Sequence, residues 1–244
     1  MTLSSLSLFG PGNAFKTKAS VGFSLVEIIV VSAMIGLLLA LTVPGLIALT
    51  PLRKSGIHEV SGFLENARSR AISSQSEMVV AFADGAFPGE GAHRQYALFA
   101  LEGESEDLPG DRPLKQLSSW RLLPQGVVFG DSGHFEVTGD TTFRTLFDLS
   151  ARRRFPLPPT NPGGEGGTAA LPYLHFGTDG GIRFPPFSDA DALHLGLVEG
   201  VYSQARRTVE LTAARPGING TGTYAIGECL EIGFYTGRAR ILTD

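Results

Sequence analysis

The sequence predicts an α+β protein: a long N-terminal helix, membrane-spanning in its first half and amphipathic in its second, packed on a C-terminal antiparallel β-sheet domain. Three observations carry this expectation. Between Phe23 and Thr50 the chain holds one ionisable side chain, Glu27. Ile57, Val60, Leu64, Ala67, Ala71 and Met78 then recur at spacings of three, four and seven, which lays one apolar stripe along a helix. Beyond that point short apolar runs alternate with turn residues, the pattern of strands.

Composition narrows the function classes. A chain of 244 residues has room for one ordinary domain with appendages. A net charge of −4 argues against a strongly basic nucleic-acid binder and against an acidic disordered tail. Most of the glycine and proline falls after residue 84, so that part should be rich in turns. The lone cysteine, Cys229, cannot close an internal disulfide and is expected as a small buried apolar residue on a strand. His58, His93, His134, His175 and His194 are scattered without metal-ligand spacing.

The apolar run of 28 residues exceeds the roughly 20 that a helix needs to cross the hydrocarbon core. It is too long for the apolar stretch of a secretory signal peptide. Lys16 and Lys18 precede it and Arg53 and Lys54 follow it, so charge alone does not set orientation. Glu27 is the unusual feature. An ionised carboxylate within a spanning helix costs on the order of 2–3 kcal/mol and normally has a partner. No Lys or Arg stands three or four residues away to neutralise it. The partner is therefore expected from another chain, or from a charge made by processing. Cleavage after Gly22 would create such a charge, the α-amino group of Phe23, within reach of Glu27 of a neighbouring copy.

Gly22-Phe23-Ser24-Leu25-Val26-Glu27, followed by an apolar stretch containing Pro44, resembles the N-terminal signal of type IV prepilins and type II secretion pseudopilins. The resemblance implies a pilin-like fold and a leader, residues 1–22, cut off by a prepilin peptidase between Gly22 and Phe23. It implies N-methylation of Phe23, an assembly role for Glu27 at the fifth mature position, and a helix kink or loosening at Pro44. The segments then read as a transmembrane and assembly helix over 23–50, an amphipathic helix over 51–78, and a periplasmic β-rich domain over 79–244.

Pro44-Gly45, near the end of the first segment, and Pro51, at the start of the second, should interrupt backbone hydrogen bonding, with Thr50 placed to cap a new start. Glu65 and Arg68 can support the helix locally. The stretch LENARSRAISSQSEMVVAF is similar to the helix end of H-type pseudopilins and FimT-like minor pilins. Its apolar face is expected to dock on the sheet that follows.

Strands are expected at 78–82, 96–101, 120–124, 127–130, 146–150, 174–177, 207–213, 229–235 and 239–242. Three passages again resemble H-type pseudopilins: Trp120 to Val127, Phe176 to Gly180, and the final hairpin LEIGFYTGRARI, where Thr236-Gly237 supplies the turn. The loops at 84–94 and 102–113, a flexible linker-like insertion at 156–172 and a long region at 185–206 depart from the family pattern. They are expected to set the choice of partner.

No phosphate-binding loop, serine-nucleophile elbow or zinc-protease motif occurs, so no enzymatic activity and no cofactor are expected. Asp179 reads as a turn residue. Asp189 and Asp191 lack the glycine and glutamate that complete a calcium loop, so no metal is expected. Arg152-Arg153-Arg154, with Arg238 and Arg240, form the basic set that could contact DNA, as C-terminal arginines do in the FimT-like proteins that the chain resembles. The net charge speaks against nucleic acid as the partner.

The leading expectation is a structural minor pseudopilin, single-pass in a bacterial inner membrane, N-terminus cytoplasmic and C-terminal domain periplasmic, serving protein transport. Its partners would be the prepilin peptidase, other pseudopilins or pilins, and secreted cargo. The alternatives are a minor type IV pilin that binds DNA for uptake, and a membrane-anchored binding module outside any filament.

Overall fold

The computed structural model of the chain describes residues 25–35, 49–103, 112–135, 143–159, 166–184, 192–212, 214–216, 223–225 and 227–242. The chain divides into two compact units, Met1–Leu46 and Ile47–Asp244. In the first, residues 25–35 form a helix, α1. The second opens with α2, Leu49–Ser74, and is otherwise built mainly from strands.

Pro51 is the third described residue of α2. Ile57, Val60, Leu64, Ala67 and Ala71 are buried as the sequence spacing predicts. The helix ends at Ser74 because Gln75 takes a left-handed backbone, φ +50°. The Ser76 N–H then reaches back to Ala71 O at 3.3 Å. Met78, read both as the end of the helical stripe and as the start of the strand expected at 78–82, is the first residue of a strand.

The first sheet runs β3 (Leu114–Gln116), β2 (Gln95–Leu101), β1 (Met78–Phe82), β8 (Tyr173–Phe176) and β9 (Ile182–Phe184), with β4 (Arg121–Leu122) also paired to β2. The second runs β11 (Thr208–Leu211), β10 (Ala192–Ser203), β14 (Gly227–Gly233) and β15 (Ala239–Leu242), with β5 (Val127–Gly130) paired to β10. Two hairpins, β6–β7 (Arg153–Pro156 and Thr168–Leu171) and β12–β13 (Ala214–Pro216 and Thr223–Ala225), complete the strands among the described residues. Every pairing between these strands is antiparallel.

The main core lies between α2 and one face of each sheet, joining Leu64 and Ala67 to Val80, Leu174, Leu195 and Leu230. A second core, with Val79, Ala81 and Phe99, lies on the opposite face of the first sheet. Strand β1 is thus buried on both faces, which explains an apolar run without polar alternation.

The expected α+β layout, a long N-terminal helix packed on a sheet, is overturned. The described residues are mostly strand, with two helices, and neither is long and apolar enough to cross a membrane. Much of the expected spanning stretch, residues 36–48, lies outside the described residues. The helix that packs on the sheets, α2, has 26 residues, ends where Gln75 turns the chain, and carries the amphipathic pattern alone.

The strand content also exceeds what the apolar runs suggested. The region 185–206, expected as a long loop, contains β10, the 12-residue strand at the centre of the second sheet. Its pattern is interrupted at Gly196, where a Cβ would overlap the Phe135 ring. The insertion at 156–172 contributes the end of β6 and all of β7. The strand expected at 146–150 is a 3-10 helix, Leu146–Asp148, because Asp148 Oδ2 accepts from the Thr145 N–H at 2.6 Å and so tightens the turn.

Candidate functional site

Glu27 sits on α1, where every residue from 25 to 35 is exposed. Apolar side chains run along the whole segment, from Leu25 at 74% exposed to Ile35 at 52%. A helix that is apolar all round needs a cover of lipid or protein. Gly22, Phe23 and Pro44 lie outside the described residues.

In the second unit, two turns that the sequence suggested separately lock together at the end of α2. Gly180 has φ +81° and Gly237 has φ +60°. A Cβ on Gly237 would overlap Gly180 O, and one on Gly180 would stand 2.7 Å from Ile72 Cδ1. Arg68 Nε donates to Thr236 O at 2.6 Å, and Glu65 Oε1 accepts from the Ala239 N–H at 3.3 Å. Asp179 is the turn residue expected of it: its Oδ1 accepts from the Gly181 N–H at 3.1 Å. Tyr235, in the same final turn, is 88% exposed.

Two buried charge clusters were not legible in the sequence. Arg53 Nη1 meets Glu199 Oε1 at 3.0 Å, and its Nε and Nη2 meet Glu228 Oε1 at 3.3 and 3.2 Å. This ties the first turns of α2 to β10 and β14. In the second cluster Arg112 donates to Glu77 Oε2 and to Gly103 O, and Arg153 donates to Arg112 O. His175, 3% exposed, faces Glu77.

The basic set does not form one exposed patch. Arg152 donates through Nε to Asp84 Oδ2 at 3.2 Å and through its other nitrogens to the carbonyls of Phe147, Leu149 and Ala151. Arg153 points inward from β6 and is buried, while Arg154 points outward. Arg238 and Arg240 are exposed beside and on β15, with Arg240 Nε 3.9 Å from Glu231 Oε1.

Asp189 and Asp191 lie outside the described residues. Among the described residues no group of three His, Cys, Asp or Glu is placed to hold a metal ion. Burial lowers the pKa of His93, whose ring stacks between Tyr202 at 4.9 Å and Phe147 at 5.6 Å. Cys229 is buried on β14, as expected of a small apolar residue. An open cavity of about 540 Å³ lies between α2 and the edge of the first sheet, with His58, Glu59, Arg70 and Arg121 on its walls. At this wall the Tyr96 hydroxyl donates to Glu59 Oε1 at 2.9 Å, and burial, then that bond, raise the phenol's pKa.

No family model, no curated protein and no solved structure matches the chain.

Proposed function

We propose that the chain is a structural, non-enzymatic subunit of a pilus-like filament, an H-type minor pseudopilin of a type II secretion-like system. It is held in a bacterial inner membrane through its apolar segment 23–50, with the N-terminus cytoplasmic and the second unit periplasmic. A prepilin peptidase cuts between Gly22 and Phe23, the new amine of Phe23 is methylated, and it meets Glu27 of a neighbouring subunit. Pro44 loosens the segment for packing. The second unit contacts other subunits or secreted cargo.

One observation carries this reading: Glu27 is the single charge on an exposed apolar helix, five residues past Gly22. The carboxylate has a reason to be there if another chain supplies its cation. The internal bonds of Arg152 and the burial of Arg153 leave Arg154, Arg238 and Arg240 as the exposed cations of the basic set, so the DNA-uptake alternative has less to stand on.

Mass spectrometry of the mature N-terminus tests the reading. The expected product begins with N-methylated Phe23, and an uncleaved chain overturns it. Glu27→Gln should be cleaved normally yet fail to enter filaments; normal incorporation would sink the pairing argument.

A further inference from the structure

We propose that the cleft between α2 and the β3–β4 edge of the first sheet docks an extended acidic segment of a partner protein, about five residues long with an apolar side chain at its centre. The inference goes beyond the filament reading and does not depend on it.

One wall of the cleft is a ridge of α2. His58, Gly62, Asn66 and Arg70 recur at every fourth residue, and all four line the cleft. Ser118, Ser119 and Arg121 form the facing wall. The buried Phe63 and Leu98 and the half-buried Leu117 add apolar surface. The volume of about 540 Å³ lies within the range of sites that take ligands.

The polar groups of these walls are largely uncommitted. The Arg70 side chain is exposed and makes no ion pair or hydrogen bond among the described residues, and the same holds for His58 and Asn66. Arg121 lies over the Phe63 ring at 5.1 Å and stands 4.0 Å from Glu59 Oε1, a weak pair because both side chains are exposed. The Tyr96 hydroxyl holds Glu59 through Oε1, which leaves Oε2 as an open acceptor among the described residues.

Gly62 is an independent observation. It lies inside α2, where glycine lowers helix stability relative to alanine. It is not among the glycines with positive φ, and nothing described stands within 4 Å of where its Cβ would be. Neither backbone conformation nor packing within the described chain calls for glycine here. A guest lying across the helix does: it can approach the backbone at Gly62, and any side chain there would stand in its way.

Span and charge select the guest. Glu59 and Arg70 are eleven positions apart on α2, which places them about 16 Å apart along its axis. That is the length of about five extended residues, and it exceeds a free amino acid or a single phosphate. Arg70 and Arg121 present forks suited to carboxylates. Glu59 and Asn66 suit backbone N–H groups, and the apolar surface takes one side chain. A nucleic-acid strand would bring repeated phosphates against the Glu59 carboxylate, so the mixed signs favour a peptide.

The probe is a pool of fluorescein-labelled, end-blocked pentapeptides with Asp or Glu at the outer four positions and Leu or Phe at the centre. It is titrated against the purified full-length protein by fluorescence polarisation. The wild type should bind saturably, and added salt should weaken the binding. Arg70→Gln and Arg121→Gln should each weaken it about tenfold. Arg154→Gln, which removes an exposed cation from β6, should leave it unchanged. Gly62→Gln should abolish binding while thermal stability holds or rises, which separates a blocked cleft from a damaged fold. Absence of saturable binding by the wild type overturns the proposal. So does normal binding by Gly62→Gln, or an equal loss in Arg154→Gln. Displacement of the pool by an oligothymidylate at the same charge concentration also overturns it, because the surface would then accept any polyanion.

Discussion

Arg53 on α2 and Glu199 on β10 lie 146 positions apart in the chain, yet their side chains meet at 3.0 Å in a site where both are more than nine-tenths buried. Glu228 on β14 closes the same guanidinium from its other side at 3.2 Å. The start of the helix is thereby pinned to two strands of the second sheet by charge as well as by packing.

Arg53→Met should cost about 3–5 kcal/mol in urea unfolding, because the buried Glu199 and the partly buried Glu228 are left without this cation. Arg53→Lys should recover part of that loss but not all, since an ammonium cannot present the planar fork to both acids. Unchanged stability in Arg53→Met would mean that the two acids find water instead.

The two glycines Gly62 and Gly237 should respond in opposite directions to alanine. Gly62 lies inside α2 with open space around a Cβ, so Gly62→Ala should stabilise by about 0.5–1 kcal/mol through helix propensity. Gly237 has φ +60° with Gly180 O where a Cβ would go, so Gly237→Ala should destabilise by about 2 kcal/mol or more. Thermal unfolding of the pair decides it, and a stabilised Gly237→Ala would contradict the turn geometry.

His134 and Asp131 pair at 2.7 Å and should give a bell-shaped pH term. The hydrogen bond to Asp131 holds the His134 pKa above its ordinary value of 6.5, so this contribution is full below 6.5 and lost as pH rises through the raised pKa. The bond to His134 holds Asp131 below its ordinary 3.8, so that contribution is full above 3.8 and lost as pH falls through the lowered pKa. The stability difference between wild type and His134→Gln should therefore be greatest between pH 4 and 6.5. A difference that grows toward pH 8 would refute the pairing.

Arg153→Ala and Arg154→Ala separate folding from nucleic-acid contact. Arg153→Ala should destabilise by about 2–4 kcal/mol, because it empties a buried polar network. Arg154→Ala, exposed on the outer face of β6, should stay within about 0.5 kcal/mol of wild type. Gel shifts of the full-length protein with duplex DNA should show no salt-sensitive binding for Arg154 to remove; salt-sensitive binding lost in Arg154→Ala would revive the DNA reading.

Elements with a strong local signature were legible in the chain. The stripe from Ile57 to Ala71 marked α2, MVVAF marked β1, and VVFG and ARIL matched β5 and β15 to the residue. Elements whose signature is set by a distant neighbour were not. Strand β10 hid behind Gly196 and Gly200, which are glycine because the Phe135 ring and Glu210 O occupy the space a side chain would need. The hairpin β6–β7 hid in a proline- and glycine-rich insertion because only one face of each strand is buried.

By itself the sequence determined the period of α2, the strand at 78–82, the glycine turns at Gly180 and Gly237, and the placement of Glu27 in an apolar segment five residues past Gly22. Each of these depends on neighbours within a few residues, where backbone geometry fixes what a side chain meets. Tertiary structure alone decided that the layout is mostly β, that Arg53 belongs to Glu199 and Glu228, and that His175 is buried facing Glu77. Those outcomes rest on Coulomb energy and burial between residues up to 175 positions apart, and no local pattern encodes which distant charge a folded chain will bring within a few ångströms.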